Sequence, residues 1–437
     1  MRITVIGCGY LGATHAACMA ELGHEVLGVE VDDAKRAALA AGKVPFHEPG
    51  LEELLSRHVA SGRLRFTDSF EEAGGFGDLH FLCVGTPQSA VGLGADLSAV
   101  FGATESLAPH LTRPALLVGK STVPVGTASR LAVRLAELAP AGDDAELAWN
   151  PEFLREGFGV KDTLEPDRLV LGVASERSEK VLRDFYAPVL DRGTPVVVTD
   201  FATAELAKVA ANAFLATKIS FINAVAEVCE AAGADVVDLA DAIGHDARIG
   251  RAFLNAGIGF GGGCLPKDIR AFLHRAGELG VDDAMSFLRE VDDINQRRRA
   301  QVVTTATKLL DDSVAGATVC VWGAAFKPDS DDVRDSPALW IAGQLHLRGA
   351  RVAVYDPQAT ETARRTFPTL DYASSAIEAA TGADLVLHLT EWREFREVDL
   401  GAVSAVVRRR VLLDGRNVLD LEAWRAAGWT ARGIGRR

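Results

Sequence analysis

A glycine pattern at the start of the chain restricts its fold more than any other feature. Residues 2–7 (RITVIG) are apolar and predict a strand, and small and apolar residues from Tyr10 onward predict a helix. Gly7, Gly9 and Gly12 thus form a GxGxxG pattern between a strand and a helix. In this setting Gly7 permits a tight turn, Gly9 lets a pyrophosphate approach the helix N-terminus, and Gly12 allows close helix packing. The pattern predicts a βαβ unit that binds a dinucleotide.

A carboxylate stands where such a unit binds the ribose. Glu30 ends the apolar segment at residues 25–30 and lies 18 residues after Gly12, whereas the ribose-binding carboxylate is expected about 20 residues after the glycines. A carboxylate at this place repels a 2′-phosphate and therefore favours NAD over NADP. Two alternatives stay open: Glu30 is a solvated strand end, or Asp32 takes its role.

Short apolar segments, separated by segments long enough for helices, recur along the whole chain. The early ones extend the βαβ unit into a parallel sheet, and after about Val314 the alternation starts again, with a helix around residues 337–348. The predicted fold class is therefore α/β: an N-terminal Rossmann dinucleotide-binding domain, a long central helix and a second, smaller Rossmann-like α/β domain. Further strands are predicted at residues 78–85, 115–120 and 145–150 in the first sheet, and at residues 318–323, 351–356, 384–389 and 410–415 in the second.

The central helix is predicted from about Phe201 to Ala232. This segment has almost no Gly or Pro and is rich in Ala, Leu, Val and Ile, which favours one unusually long helix. It is apolar on more than one face, so we expect it to lie buried between domains or subunits, as a connector and a possible dimer element.

Composition narrows the classes of function. A length of 437 residues with 48% hydrophobic content implies two or three domains. The formal net charge of −14 argues against nucleic acid and anionic membrane surfaces as partners, because both require a basic surface. Six scattered cysteines without CxxC or zinc-like spacing favour a reduced compartment and no metal site. Since no apolar run approaches the roughly 20 residues of a membrane span, we expect a cytoplasmic protein.

One cysteine stands apart, in the segment GFGGGCLPKD (residues 259–268). Four glycines in five residues indicate a backbone that approaches another group closely rather than packing in a core, and they leave the Cys264 thiol accessible. Pro266 suits the first turn of a helix, so Cys264 is predicted near a helix N-terminus, where a thiolate is favoured. The remaining cysteines are interpreted as inert small hydrophobes.

Three further polar groups have functional interpretations. Lys208 and Asn212 share one face of the central helix and can stabilise an oxyanion; alternatively, Lys208 forms a salt bridge that ties the helix to a domain. Glu152, Glu156 and Thr122 follow predicted strands, and ligands bind at the carboxyl ends of such strands. One acid can position water while the other faces the nicotinamide. The alternatives are surface carboxylates and a turn hydroxyl.

Cations suited to a diphosphate occur in the second α/β domain. Lys327 and Arg334 lie in its first loop, within FKPDSDDVRDSP (residues 326–337), and Arg416 lies at another strand end. An acidic protein needs such local cations to hold an anionic ligand. Solvated loop charges are the alternative.

Together and in this order, GFGGGCLPKD, NPEFLREG (residues 150–157) and FKPDSDDVRDSP resemble the UDP-glucose/GDP-mannose 6-dehydrogenase family, and the resemblance covers essentially the entire chain. It implies an NAD-dependent enzyme with a nucleotide-sugar substrate that forms a homodimer through the long helix. It also implies three parts: an NAD-binding Rossmann domain at residues 1–200, a central helical connector and dimerisation domain with the cysteine loop at residues 201–300, and a C-terminal nucleotide-sugar (UDP)-binding α/β domain at residues 315–437.

The resemblance also implies roles by position. Its catalytic residues are the nucleophile Cys264, the oxyanion-stabilising Lys208 and Asn212, the acidic partner of Lys208 at Asp268, and Glu152 with Thr122, which organise the catalytic water. Its cofactor contacts are Gly7, Gly9, Gly12, Glu30, Lys35, Thr86, Thr122, Glu156 and Arg334, and its substrate contacts are Phe153, Leu154, Lys208, Asn212, Arg248, Phe253, Phe260, Gly261, Lys327 and Arg416. Two residues depart from the family pattern: Glu30 replaces the usual Asp, and Phe253 replaces the Tyr of many members and so removes a hydroxyl.

The implied reaction oxidises a sugar C6 hydroxymethyl group twice, to a carboxylate, through a thiohemiacetal and a thioester on Cys264. UDP-glucose is the expected substrate, because residues 156–172 and the end of the 326–337 loop look closer to UDP-glucose members. GDP-mannose is the main alternative, and dTDP-glucose or a UDP-sugar variant also remains open. A single-oxidation β-hydroxyacid dehydrogenase would not need the Cys264 thiol, and loss of Cys264 or Lys208 would have suggested a non-catalytic NAD-linked binding module.

Overall fold

The computed structural model describes residues 1–436 and divides into two compact units. The first contains Met1–Ala211 and the short segment His274–Leu279, and the second contains Asn212–Leu273 and the chain from Gly280 onward. Each unit has its own sheet and its own buried apolar core. The division falls within the central helix, whereas the sequence suggested an end of the first domain near residue 200.

An eight-stranded sheet forms the centre of the first unit. Its strands are β1 (Arg2–Ile6), β2 (Glu25–Val29), β3 (Leu64–Thr67), β4 (Leu79–Leu82), β5 (Ala115–Gly119), β6 (Ala145–Trp149), β7 (Leu169–Val173) and β8 (Val196–Thr199). The order is β3-β2-β1-β4-β5-β6-β7-β8, and all neighbours pair in parallel except β6 with β7. The order reverses between β1 and β4, and ligands bind beyond the carboxyl ends of the strands at such a point.

Nine α-helices connect these strands or extend from them. They are α1 (Tyr10–Glu21), α2 (Asp33–Ala40), α3 (Leu51–Ala60), α4 (Phe70–Phe76), α5 (Ser98–Leu107), α6 (Thr127–Leu138), α7 (Gly159–Leu164), α8 (Glu176–Phe185) and α9 (Ala187–Leu190). Every residue of α1 from Gly12 to Ala20 is buried. Small residues in this segment let the helix lie close to the sheet.

The second unit is built on a six-stranded parallel sheet. Its strands are β9 (Thr318–Trp322), β10 (Arg351–Tyr355), β11 (Asp371–Tyr372), β12 (Leu385–His388), β13 (Val411–Asp414) and β14 (Thr430–Gly433), in the order β11-β10-β9-β12-β13-β14. Its helices are α11 (Val236–Gly244), α13 (Phe287–Leu309), α14 (Pro337–Leu347), α15 (Thr360–Thr366), α16 (Ala376–Ala380), α17 (Arg393–Arg396), α18 (Leu400–Val406) and α19 (Leu421–Ala426). Two helices contribute residues to both units, α10 (Phe201–Ala232) and α12 (Leu265–Glu278). The predicted α/β class is confirmed.

The central helix α10 has the bounds that the sequence predicts. It is long and apolar enough to cross a membrane by length and composition, with 44% of its most apolar window buried, so the statement that no apolar run approaches membrane length is wrong. The core helix of a soluble protein meets the same criteria.

In α10 the buried Glu205 carboxylate accepts the backbone N–H groups of Gly126 at 2.7 Å and Ala128 at 2.6 Å, and so caps the N-terminus of α6.

The strands predicted from the sequence all overlap strands of the structure, whereas five strands were missed. Four of the missed strands, β3, β8, β11 and β14, are the outer strands of the two sheets, and β7 lies beside β8. An outer strand is partly exposed, as the burial along β3 and β8 shows, and therefore lacks the continuous apolar run that identifies a central parallel strand.

A buried histidine makes the first unit sensitive to acid. Burial lowers the pKa of His80 to about 4, below the value of about 6.5 expected in the unfolded chain. Between these two values only the unfolded chain binds the proton, so the stability present above pH 6.5 is lost as the pH falls, at about 1.4 kcal/mol per pH unit for this group. We predict that the free energy of unfolding, measured with urea between pH 7.5 and 5, depends less on pH in the Thr4→Val/His80→Phe double variant than in the wild-type protein. The double variant removes both partners of the 2.7 Å hydrogen bond between Thr4 Oγ1 and His80 Nδ1. Equal pH slopes in the variant and the wild type would contradict the prediction.

Candidate active site

The glycine loop after β1 divides into closely packed and open positions. Gly7 has a φ of +85°, and an added Cβ would lie 2.7 Å from Val84 Cγ1. A Cβ on Gly12 would lie 1.8 Å from the carbonyl oxygen of Gly7, so α1 packs directly on the loop. A Cβ on Gly9 would meet no described atom within 4 Å. Gly9 is also the N-cap of α1, whose first turn has no acidic residue among those described. This arrangement fits a pyrophosphate bound at the helix N-terminus.

Glu30 is buried, so its interpretation as a solvated strand end is wrong. Its carboxylate accepts the backbone N–H groups of Cys8 at 3.1 Å and Asp32 at 3.0 Å. Lys35 Nζ lies 3.4 Å from Glu30 Oε2, which brings two of the predicted cofactor residues together. Asp32, the rival for the ribose, instead caps α2 by accepting the N–H of Lys35 at 2.8 Å, and this bond lowers the pKa of its carboxyl.

The loops after β4 and β5 bring two further predicted residues together. Thr86 Oγ1 donates to the carbonyl oxygen of Thr122 at 2.7 Å. Ser121 Oγ donates to the carbonyl oxygen of Val84 at 2.7 Å. These bonds join the two loops at the carboxyl edge of the sheet, beside the glycine loop that contacts Val84.

Glu152 and Lys208 form a mostly buried ion pair. Lys208 Nζ lies 3.0 Å from Glu152 Oε1, and their side chains are 6% and 13% exposed. The other oxygen of Glu152 accepts the N–H of Leu154 at 2.6 Å. Glu152 is therefore not a surface carboxylate. The salt bridge proposed as an alternative for Lys208 is present, and it places the ammonium group beside the loop after β6.

Cys264 directly precedes helix α12, as the position of Pro266 predicted. The carbonyl oxygen of Cys264 accepts the N–H of Asp268 at 2.9 Å, in the first turn of the helix. Cys264 is exposed, whereas the other five cysteines are buried. Burial raises the thiol pKa of Cys8, Cys18, Cys83, Cys229 and Cys320. Cys264 is thus the one accessible thiol among the six, and it lies at a helix N-terminus.

The glycines before Cys264 pack against protein, which corrects the argument that packing is not their role. A Cβ on Gly261 would lie 2.3 Å from the carbonyl oxygen of Asp335, and one on Gly262 would lie 2.8 Å from the ring of Phe326. A Cβ on Gly263 would lie 2.4 Å from Arg334 Cζ. The close approach inferred from the sequence is thus made by the loop between β9 and α14.

Asn212 and Lys267 bind the two oxygens of the buried Asp268 carboxylate. Asn212 Nδ2 donates to Oδ2 at 2.6 Å, and Lys267 Nζ donates to Oδ1 at 2.5 Å. Asp268 is 2% exposed, so these bonds compensate its desolvation. The pairing of Asp268 with Lys208 stays a prediction.

The predicted substrate cations differ in their surroundings. Arg416 is largely buried: its Nε donates to the carbonyl oxygen of Leu389 at 2.7 Å and lies 3.1 Å from Glu391 Oε2. It is therefore not a solvated loop charge. Lys327 is half-buried in the loop after β9, and Arg334 in the same loop pairs with Asp332 at 2.6 Å.

The other predicted residues fall into two groups. Phe153, Leu154 and Glu156 are half-buried in the loop after β6, and the guanidinium carbon of Arg168 lies 3.7 Å from the Phe153 ring centroid. The remaining three residues, Arg248, Phe253 and Phe260, lie in the second unit. The Arg248 side chain is 89% exposed and pairs with Asp246, and Phe253 has a φ of 66°. Phe260 is buried, and its backbone N–H and carbonyl groups are hydrogen-bonded to the Asn295 side chain.

Sequence reasoning missed a polar group next to Glu152. Lys120 is 6% exposed and its Nζ donates to Asn150 Oδ1 at 2.9 Å. Tyr186 donates to the same Oδ1 at 2.7 Å. Burial lowers the pKa of Lys120 to about 8. The available signal was a single lysine at the end of a continuous apolar strand, where a charge needs a polar partner.

Family models and individual relatives agree on what the chain resembles. The UDP-glucose/GDP-mannose dehydrogenase models for the NAD binding domain, the central domain and the UDP binding domain match residues 1–190, 202–297 and 320–421. The UDP-glucose 6-dehydrogenase of Rhizobium meliloti is 40% identical over 438 residues, with 100% of both chains covered. The chain belongs to the UDP-glucose/GDP-mannose dehydrogenase family.

Solved structures extend this comparison to the fold. A UDP-glucose dehydrogenase from the archaeon Pyrobaculum islandicum is 38% identical, with a TM-score of 0.91 and coverage of 100% of this chain and 98% of the other. A UDP-D-ManNAc dehydrogenase from Pyrococcus horikoshii is 28% identical, with a TM-score of 0.87 and coverage of 100% and 99%. The chain is thus an NAD-dependent nucleotide-sugar 6-dehydrogenase with a Rossmann fold.

Because Gly9 faces open space and Gly12 is tightly packed, alanine should affect NAD binding at Gly9 and the stability of the fold at Gly12. Gly9 has a φ of −70°, which suits alanine, so Gly9→Ala should change the unfolding free energy by less than about 0.5 kcal/mol. It should weaken NAD binding by about tenfold or more, because the methyl group occupies the space that the pyrophosphate enters. Gly12→Ala should destabilise the fold by roughly 1–3 kcal/mol. Thermal unfolding and NAD titration of both variants test this, and a Gly9→Ala protein with unchanged NAD affinity would contradict it.

Proposed function

We propose that the enzyme oxidises the C6 hydroxymethyl group of UDP-glucose to a carboxylate, giving UDP-glucuronate, through a covalent intermediate on Cys264. The observation that carries this proposal is the single exposed cysteine, placed at the N-terminus of α12 while the other five are buried. A four-electron oxidation at one carbon needs a nucleophile to retain the aldehyde, and a thiolate is suited to that role.

The cofactor residues are proposed from the loops that they occupy. The open N-terminus of α1 at Gly9 is proposed to accommodate the pyrophosphate, and the buried Glu30 with its ion-pair partner Lys35 is proposed to bind the ribose. Thr86, Thr122, Glu156 and Arg334 are the other proposed contacts. When bound, NAD supplies the hydride acceptor for each of the two oxidations.

The other catalytic roles are proposed for side chains of this protein. Lys208 and Asn212, one turn apart on α10, are proposed to stabilise the oxyanion of the alcohol and of the thiohemiacetal. Attack of the Cys264 thiolate on the aldehyde carbon forms the thiohemiacetal, and its oxidation leaves a thioester. Glu152 with Thr122 is proposed to orient the water that cleaves the C–S bond and releases the thiolate. Asp268 fixes the Asn212 amide through their 2.6 Å hydrogen bond.

UDP-glucose is preferred to other nucleotide sugars on relatedness. Relatives at 38% to 40% identity are named for UDP-glucose, whereas the UDP-D-ManNAc dehydrogenase is 28% identical. GDP-mannose and dTDP-glucose remain the competing substrates. A single-oxidation β-hydroxyacid dehydrogenase would leave the exposed Cys264 without a role, which disfavours that function.

Two further features complete the proposal. We propose the three-part division at residues 1–200, 201–300 and 315–437. The residues proposed to bind the nucleotide are Arg248, Phe253, Phe260, Gly261, Lys327 and Arg416, and those proposed to contact the sugar are Phe153 and Leu154.

We also propose a cytoplasmic homodimer formed through α10. Large apolar residues of α10 are exposed at seven-residue intervals, with Phe214 67%, Phe221 53% and Val228 64% exposed, so they share one face of the helix.

The reaction stoichiometry tests the covalent route. We predict two NADH formed per UDP-glucose consumed, and a loss of turnover of at least about a hundredfold in Cys264→Ser, because the hydroxyl is a much weaker nucleophile. Absorbance at the NADH band and quantification of UDP-glucuronate provide both numbers.

Cys229→Ala is the matched control, since Cys229 is buried on α10 and should retain two NADH per sugar. One NADH per sugar, or turnover that survives in Cys264→Ser, would overturn the thioester route. Turnover with GDP-mannose or dTDP-glucose alone would keep the route and change the substrate.

The dimer is tested by placing a charge in the exposed stripe. Phe221→Asp should convert the dimer to a monomer in light scattering coupled to gel filtration, because a carboxylate would be desolvated in an apolar interface. Leu347→Asp, at an apolar residue 77% exposed at the end of α14, should leave the dimer intact. A dimer in both variants would place the interface elsewhere.

A further inference from the structure

A small cavity lies behind the loop that carries Glu152. Its volume of about 40 Å³ has room for about three or four water molecules at roughly 10–15 Å³ each. Its polar lining consists of residues of the first unit: His15, Lys120, Glu152, Asp162, Thr163, Asp167, Arg168 and Tyr186. Cavities with polar walls hold water, whereas apolar cavities of this size stay dry.

His15 indicates that this cavity is hydrated. The side chain is 1% exposed, and its Nε2 has no hydrogen-bond partner among the atoms of residues 1–436. Burial, with the nearby Lys120 charge, holds the pKa of His15 well below its ordinary value, so the ring is neutral. Buried polar atoms are usually hydrogen-bonded, and a water in the cavity that His15 lines would give Nε2 a partner.

Lys120 carries a buried charge that packing does not require. Within the described chain it forms no ion pair; its Nζ lies 2.9 Å from Asn150 Oδ1, 3.4 Å from the Asn150 carbonyl oxygen and 3.5 Å from Tyr186 Oη. A desolvated ammonium group with neutral partners costs stability, which is why burial lowers the pKa of Lys120 to about 8. A methionine would fill the same space without that cost.

The position of Lys120 in the chain connects this charge to the reaction. Lys120 follows β5 and lies two residues before Thr122; Asn150 follows β6 and lies two residues before Glu152. Asn150 is also held by the Tyr186 hydroxyl at 2.7 Å and, through its Nδ2, by the Val170 carbonyl at 2.9 Å. The Lys120–Asn150 bond therefore joins the two loops that carry the proposed water-orienting residues.

We propose that Lys120 is a positioning residue for Glu152: through Asn150 and the cavity water it holds the loop after β6 in the arrangement needed for thioester hydrolysis. The inference rests on the proposed function. In that step the oxygen of water bonds to the acyl carbon, the C–S bond breaks, Cys264 leaves as the thiolate, and a proton of the water passes to the Glu152 carboxylate. Since Lys120 acts through Glu152, the hydride steps should be spared.

The test is Lys120→Met in the full-length enzyme, mixed rapidly with UDP-glucose and NAD. We expect a burst of two NADH per Cys264 at close to the wild-type rate, followed by steady-state turnover slower by at least about tenfold. Intact-protein mass spectrometry should show the acyl adduct on Cys264, and hydroxylamine should release it. Lys120→Gln, which retains a donor, provides a second variant and should slow hydrolysis less.

Two controls separate this role from others. Tyr186→Phe removes the second hydrogen bond to Asn150 Oδ1 but leaves the Lys120 charge, and should accumulate no adduct. Glu152→Gln should accumulate it; if it does not, the proposed role of Glu152 itself is wrong. If Glu152→Gln accumulates the adduct and neither Lys120 variant does, the positioning role is overturned. Equal slowing of burst and steady state in the Lys120 variants would also overturn it, because it would indicate a general structural defect.

Discussion

The ion pair between Lys208 and Glu152 is the interaction on which the proposed chemistry of the first unit depends. Both side chains are largely buried, so removing either partner would leave a desolvated charge, at a cost of about 3–5 kcal/mol. The pair therefore fixes α10 against the loop after β6, and the helical repeat then places Asn212 one turn beyond Lys208. Lys120 adds a second buried cation near this pair without a carboxylate of its own. In a chain with a net charge of −14, Lys208 and Lys120 thus bring two buried cations close to the Glu152 carboxylate, and stabilisation of an oxyanion is the proposed role of Lys208.

Glycine has two different uses in this protein, and the sequence does not distinguish them. At Gly9 the missing side chain leaves open space, whereas at Gly12 and Gly261 it allows two backbone segments to meet, with an added Cβ only 1.8 Å and 2.3 Å from a carbonyl oxygen. The run of glycines before Cys264 therefore packs against protein at Gly261, Gly262 and Gly263. It seats the loop against the β9–α14 connection, and this fixed seat is what leaves the Cys264 thiol accessible at the start of α12.

The sequence predicts the backbone of this site better than its side-chain contacts. Buried parallel strands are continuous apolar runs, so their carboxyl ends, and with them Thr122 and Glu152, could be located from the sequence. The bounds of α10 followed from the absence of Gly and Pro. The outer strands could not be found, because partial exposure interrupts the apolar run. Partner choice was also beyond the sequence: Asp268 binds Asn212 and Lys267, and these pairings depend on helix rotations and loop paths that residue spacing does not encode.

The proposed reaction, with two successive oxidations at one carbon and a thioester intermediate, would set opposite requirements for water, and the cavity lined by Glu152 suggests how both could be met. Water that reached the aldehyde before the thiol would allow release of a partly oxidised sugar, yet the final thioester needs water to be cleaved. A cavity of about 40 Å³ has room for only a few water molecules, and Glu152 is one of its polar lining residues. On this proposal the buried charge of Lys120 is retained because it organises a small amount of water in the cavity that Lys120 and Glu152 both line. Under the proposed mechanism, the stability lost to that ammonium group would be the cost of separating thioester hydrolysis from the two hydride transfers.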